Sequence, residues 1–186
     1  MHTAYIGMGA NLASQAGPPA ATLAAALLRL EPYGRVVSCS SLYSTEPVGF
    51  AQQPRFTNAV VALDTDLIPR ALLDALLAIE REFGRDRAAG IPNGPRTLDL
   101  DILLFGDLRI SEPGLEIPHP RLAERAFVLI PLCEIAPQAV DPSHGKIVAQ
   151  LLDALLQHDK SESDAVVQIR SELWRAGGHP VSPVGN

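Results

Sequence analysis

Two stretches of helical period, each bracketed by runs of strand period, constrain this chain more than anything else in it. From Pro18 and Pro19 onward, Leu23, Ala26, Leu27 and Leu30 share one helical face. From Asp66 to Gly84, Leu72, Leu73, Leu76 and Leu77 form a second stripe, with Asp66 expected as N-cap and Gly84 as the stop. Before the first lies "TAYIGMG" (3–9); between them lie "RVVSCSSLYS" (35–44) and "FTNAVVALD" (56–64); after the second comes "TLDLDILLF" (97–105). These four runs alternate or are rich in β-branched and aromatic residues, as strands are. The order is the β-α-β-β-α-β of a ferredoxin-like α+β sheet with helices packed on both faces. An open α/β sheet is the alternative.

Two loops rich in Gly and Pro, 45–55 and 85–95, interrupt this framework and have the length of binding loops. Beyond it, 109–120 reads as turn-rich, 121–137 as a helix interrupted at Pro131, and 146–158 as a last helix. We expect one catalytic domain over 1–158, and a loosely attached tail over 159–186 in which 165–174 offers one more edge strand.

"GPRTLDLDILLFG" (94–106) poses the chemical question. Leu98, Leu100 and Ile102 point to one face of the strand, and Thr97, Asp99 and Asp101 to the other. Two carboxylates about 7 Å apart on one face repel each other unless something cationic sits between them. Read by spacing alone, the pair is equally a solvated strand face and a hard-oxygen platform for Mg²⁺, which takes one or two carboxylates plus phosphate oxygens. Charge composition tilts the choice toward metal. Of 15 basic residues only Lys146 and Lys160 are lysine, and Arg81, Arg85, Arg87 and Arg96 stand immediately upstream of the aspartates. Arginine's planar fork suits phosphate.

The net charge of −6 argues against a general nucleic-acid or anionic-membrane binder. Cys39 and Cys133 stand in no metal-ligand spacing, and no basic stretch precedes an apolar run near the N-terminus. The expectation is a cytoplasmic protein of a reducing compartment. "GMGANL" (7–12) imitates a dinucleotide fingerprint, but Leu12 occupies the place of its third glycine, and no P-loop is present. Phe56 and Asn58 share a strand face, a pairing that suits a flat heterocycle and equally suits sheet packing. His119, between prolines, and Phe127 are by themselves ambiguous between site and structure.

Taken with "AYIGMGANLAS", "SSLYSTEPVGFAQQPRFTNAVVAL", "IEREFGRDR" and "IPHPRLAERAFVLIPLCEIAP", the run at 94–106 resembles the 6-hydroxymethyl-7,8-dihydropterin pyrophosphokinases of folate synthesis, over about residues 4–157. The resemblance implies a ferredoxin-like fold and transfer of the terminal diphosphate of ATP to the pterin's hydroxymethyl group, releasing AMP. It implies that Asp99 and Asp101 hold two Mg²⁺ ions. Arg85, Arg96, His119 and Arg125 would contact ATP, with Arg87, Glu80 and Ile102 on the nucleotide side and Arg85 and Arg96 assisting catalysis. Thr45, Glu46, Val48, Phe56, Asn58, Asn93 and Phe127 would form the pterin pocket. The partners implied are these two small molecules, with no nucleic acid and no membrane, acting on a monomer. Two alternatives stay open on the residues alone: another Mg²⁺-dependent transferase using the D-x-D pair, and a ligand-binding module without catalysis.

Overall fold

A computed structural model describes residues 1–47, 52–85, 94–158 and 165–174. The expectations for Val48, Arg87 and Asn93, and for 159–164 and 175–186 of the tail, lie outside the described residues.

The central sheet follows from the strand periods. β1 (His2–Ala10) pairs antiparallel on one side with β4 (Phe56–Thr65) and on the other with β5 (Asp99–Phe105). β2 (Arg35–Cys39) and β3 (Leu42–Thr45) both pair antiparallel with β4. With α1 (Pro19–Leu30) after β1 and α2 (Pro69–Glu82) after β4, this is the expected β-α-β-β-α-β framework. The single strand expected over 35–44 is broken at Ser40 and Ser41. Ser40 accounts for the break: its amide donates to Val60 O at 2.9 Å, and its hydroxyl accepts from Val60 N at the same distance.

Period two sorts the side chains onto two cores. Ala4, Ile6, Met8 and Ala10 of β1, Val61 and Leu63 of β4, and Leu98, Leu100 and Ile102 around β5 are buried against Leu23, Leu27 and Leu30 of α1 and Leu72, Leu76 and Ile79 of α2. On the opposite face, Val60, Leu103 and Leu104 pack on α3 (Ala126–Ile135) and α4 (Val148–His158). Helices therefore cover both faces, as expected. Between Ile102 and Leu104 a bulge adds Leu103 to β5, and both Leu103 and Leu104 reach the α3 side.

Several local expectations are corrected. Asp66 does not cap α2; that helix starts at Pro69 after Ile68, with no side-chain cap, and Asp66 instead pairs with the N-terminal amine at 3.1 Å. A proline with fixed φ and no N–H serves as first helical residue, so no capping side chain is required. α3 runs through Pro131 rather than stopping there. Its apolar side chains are buried nearly all round, and that packing outweighs the one backbone bond a proline removes. Within 109–120, β6 (Ile110–Glu112) and β7 (Leu115–Ile117) form a hairpin, and β8 (Val140–Asp141) pairs with β9 (Lys146–Ile147) before α4.

The loose attachment expected of the tail does not hold for 165–174. β10 (Val166–Ile169) extends the sheet by pairing antiparallel with β3, and Trp174 is buried with its indole N–H donating to Ser40 O at 2.7 Å. Val166, Val167 and Ile169 carry the β-branched composition of a strand. Among the described residues no helix is long and apolar enough to cross a membrane.

Candidate active site

On the α3 side, register places Asn58, Gly9 and Asp99 in one row across β4, β1 and β5, and Val60, Gly7 and Asp101 in the next. Glycine in the middle of each row leaves a trough between the amide and the carboxylates. A Cβ on Gly9 would stand 2.8 Å from Asn58 Oδ1, and one on Gly7 would stand 3.3 Å from the Leu103 side chain. The two glycines of "GMG" thus make room for the site, a use unlike the phosphate loop they imitate.

The trough opens into a cavity of about 250 Å³. It is lined by Thr45, Glu46, Phe56, Asn58, Arg85, Arg96, Asp99, Asp101, His119, Arg125 and Phe127, all singled out from the sequence, together with Gly7, Gly9, Leu103 and Arg121, which were not. One end is cationic. Arg96 Nη1 donates to Asp99 Oδ2 at 2.6 Å, and Arg85 Nη1 donates to Leu98 O at 2.9 Å and to Asp99 Oδ1. The backbone of Arg96 is fastened from both sides: its N–H donates to Asn11 Oδ1 at 2.8 Å, and its carbonyl accepts from the amides of Asn11 and Leu12. Arg125 completes the group. Its guanidinium stacks 5.6 Å from the Phe127 ring centroid, while its Nε is buried without a hydrogen-bond partner. A buried cationic donor left unused fits a site built to receive an anion. Burial, and the neighbouring Arg121 charge, hold the Arg125 pKa below its ordinary value.

The other end suits a flat ring. Phe56 and Phe127 line it, and Asn58 Nδ2 donates to Thr45 Oγ1 at 2.7 Å, which fixes the orientation of the amide. Arg96 joins the two ends, its guanidinium lying 5.3 Å from the Phe56 ring centroid.

His119 sits where the cavity meets a second one of about 270 Å³, lined by Leu73, Ile102, Leu115, Glu116 and Pro120 and sharing Asp101 and His119 with the first. The His119 amide donates to Leu103 O, and its Nδ1 accepts from Arg121 N at 3.1 Å, so the neutral ring carries its proton on Nε2. Burial first, then Arg125 and Arg121, push its pKa down to about 4 against the partial pull of Asp99. We expect the ring resonances of His119 in the ligand-free protein to stay constant from pH 8 to 6 and to titrate near pH 4. Because the unfolded chain takes up this proton near pH 6.5 and the folded one near 4, stability falls as pH drops through that window. Comparison with His119→Gln by NMR titration and thermal melts checks both.

Glu80 is not in the cavity. It lies in register with Leu72 and Leu76 on the buried stripe of α2, beneath the sheet. Its Oε1 accepts from Leu100 N at 2.8 Å and stands 3.8 Å from Arg85 Nη1, which passes round the edge of β5 to reach Asp99. Glu80→Ala is expected to cost about 1–3 kcal/mol, the penalty of an unpaired buried N–H, while changing ATP affinity by less than about threefold. Thermal melts and ATP titration separate the two.

A family model described as 7,8-dihydro-6-hydroxymethylpterin-pyrophosphokinase (HPPK) matches residues 5–137. The chain belongs to this family. A 2-amino-4-hydroxy-6-hydroxymethyldihydropteridine pyrophosphokinase of Pseudomonas aeruginosa is 49% identical over 152 residues, covering 81% of this chain and 90% of that protein. The enzyme of the same name from Synechocystis sp. is 43% identical over 154 residues, covering 82% of this chain and 75% of that one. Among solved structures, wild-type Plasmodium falciparum HPPK-DHPS aligns with a TM-score of 0.68 at 16% identity, over 86% of this chain. This chain spans about half the length of that protein (46%), and the likeness is one of fold. The HPPK match takes in β1 from Tyr5 onward, β2 to β5, α1 and α2, and every residue named above as lining the cavity.

Proposed function

We propose that this cavity is where the chain, as a pyrophosphokinase of folate synthesis with ATP as co-substrate, transfers a diphosphate to 6-hydroxymethyl-7,8-dihydropterin. One observation carries the assignment. A same-face carboxylate pair with Arg85, Arg96 and Arg125 shares a single cavity with a Phe56–Asn58–Phe127 end shaped for a flat heterocycle.

The acidic pair fits magnesium by its donor chemistry. Asp99 and Asp101 offer carboxylate oxygens on one strand face, and among the described residues no cluster of three or more His, Cys, Asp or Glu forms a protein-only cage. Two carboxylates completed by water and phosphate oxygens are what Mg²⁺ takes. Two Mg²⁺ ions held there would neutralise polyphosphate charge and lower the pKa of a coordinated hydroxyl.

The chain's own residues supply position and charge, which dominate phosphoryl transfer. Arg85 and Arg96, now on Asp99, exchange carboxylate for phosphate oxygens when the polyphosphate enters. Arg125 gives its unused Nε–H to the same anion, and His119 donates from Nε2. Ile102, with Leu73 and Leu115 in the second cavity, provides an apolar seat for the nucleobase. Asn58, its amide fixed by Thr45, hydrogen-bonds the edge of the pterin between Phe56 and Phe127. The pterin oxygen then bonds to the β-phosphorus, the bond from that phosphorus to the α,β-bridging oxygen breaks, and AMP leaves with the electron pair. The hydroxyl proton passes to solvent.

We take the protein to act as a monomer in the cytoplasm on these two small molecules. Nucleotide product analysis with ATP, Mg²⁺ and the pterin, each omitted in turn, tests the assignment. AMP is expected only when all three are present; ADP, or AMP formed without pterin, would overturn it.

A further inference from the structure

We infer that residues 165–174, acting with Arg55, are a positioning element for the pterin end of the site. The inference rests on the assignment of Thr45, Phe56 and Asn58 to that end. β3 is only four residues long and ends at Thr45, whose hydroxyl accepts the Asn58 amide bond. Such a short strand gains much of its definition from its neighbours. On one side Tyr43, Ser44 and Thr45 pair with Asn58, Thr57 and Phe56. On the other side β10 matches β3 along its whole length, with Val166 opposite Thr45 and Ile169 opposite Leu42. Without β10, the strand that holds Thr45 becomes the edge of the sheet.

Side chains fasten both ends of this added strand. At the far end, buried Trp174 donates to Ser40 O at 2.7 Å. Gln168 Nε2 donates to Ser41 Oγ at 2.7 Å, and that hydroxyl in turn donates to Glu134 Oε1 at 2.8 Å. The other oxygen of Glu134 accepts from Ser41 N and from the Tyr43 hydroxyl, both at 2.9 Å. The last turn of α3 is thereby tied to β3, with Phe127 in the first turn of the same helix.

At the near end Arg55 gathers four acceptors. Its Nε donates to Ser44 Oγ at 2.9 Å, and its Nη2 donates to Ser44 O at 3.2 Å and to Ala165 O at 3.3 Å. Its Nη1 donates to Glu46. Arg55 precedes Phe56 and lies outside the cavity lining. It links the entry of β4, the exit of β3 and the start of the C-terminal segment. An isolated exposed ion pair contributes little, but a planar fork with several backbone and side-chain acceptors fixes geometry. None of these contacts touches Arg85, Arg96, Asp99 or Asp101. The element therefore acts on the heterocycle end and leaves the polyphosphate end alone.

The test separates KM values in the full-length chain. For Arg55→Ala and Trp174→Ala, the pterin KM is expected to rise about tenfold, the equivalent of roughly one good hydrogen bond. The KM for MgATP is expected to stay within about twofold, because uniform loss of fold would move both. Arg55→Lys, which keeps charge but not the fork, should recover only part of the loss. Should Trp174→Ala fail to fold, the exposed Arg55→Ala decides alone. If Arg55→Ala raises both KM values together, or neither, while Asn58→Ala raises the pterin KM, the positioning role is overturned. If Asn58→Ala also leaves the pterin KM unchanged, the assignment of the pterin end fails and the inference with it.

Discussion

Asp101→Asn is expected to fold with its packing intact and to turn over about 10²–10³-fold more slowly, the scale on which one pre-organised charge group acts in a transition state. The strand around it explains the first half. Leu98, Leu100 and Ile102 hold β5 to the α1–α2 core from the opposite face, so the change removes charge from the cavity without disturbing packing. Asp99→Asn should be at least as slow, and it should also lose stability. Asp99 takes both Arg85 and Arg96, whose side chains are 15% and 21% exposed, and the amide would leave two guanidiniums facing each other with weaker partners. A loss of about 2 kcal/mol is expected, in line with hydrogen bonds to charged groups. Saturating MgATP should then restore part of the stability of Asp99→Asn, because phosphate oxygens offer the arginines replacement acceptors. Steady-state turnover and melts with and without MgATP measure all of this. Turnover within tenfold of the parent for either variant would remove the aspartates from the mechanism and return the D-x-D pair to a solvated strand face.

The aspartate pair was legible because strand period is strict: once Leu98, Leu100 and Ile102 are taken as core, Asp99 and Asp101 have only one face left. The same logic placed Phe56 and Asn58 together. It was available for Gly7 and Gly9 as well, two glycines at strand spacing that clear a trough, but a phosphate-loop pattern competes with that reading in the same six residues. Glu80 shows the converse. It falls four residues after Leu76 on the apolar stripe, so helical period marks it as buried, whereas its nearness in sequence to Arg85 suggests the site. Arg121 carries no such mark. Its place beside Arg125 and His119 comes from the turn that precedes α3, and nothing in the local pattern separates it from a solvent-facing arginine. The break at Ser40–Ser41 and the docking of 165–174 are also tertiary outcomes. The first depends on Val60 of another strand, and the second on partners more than a hundred residues away at Ser40, Ser41 and Arg55. Pro131 persists within α3 because it and most of the helix's apolar side chains are buried against neighbouring elements, a property of its neighbours rather than of its own sequence.

Arg96→Ala is expected to lower kcat/KM about 10³-fold, comparable to the loss of an arginine that stabilises phosphoryl transfer. Arg85 and Arg96 both reach Asp99, yet they are held differently. Arg85 is anchored to Leu98 O and lies near buried Glu80 at the sheet edge, whereas Arg96 spans the cavity floor between Asp99 and the Phe56 ring. Arg96 thus meets both substrates in the proposed geometry. Its removal should raise the KM for pterin as well as for MgATP, while Arg85→Ala should act on the nucleotide side and on kcat. Arg96→Lys keeps a charge but loses both the fork and the flat face that stacks on Phe56, so rescue should be less than tenfold. A double-mutant cycle with Phe56→Ala isolates the stacking contribution: the two changes should be less costly together than their separate costs sum to, by about 1 kcal/mol in pterin binding. Strict additivity would mean that the ring and the guanidinium act independently, and that the two ends of the cavity are joined by something other than Arg96.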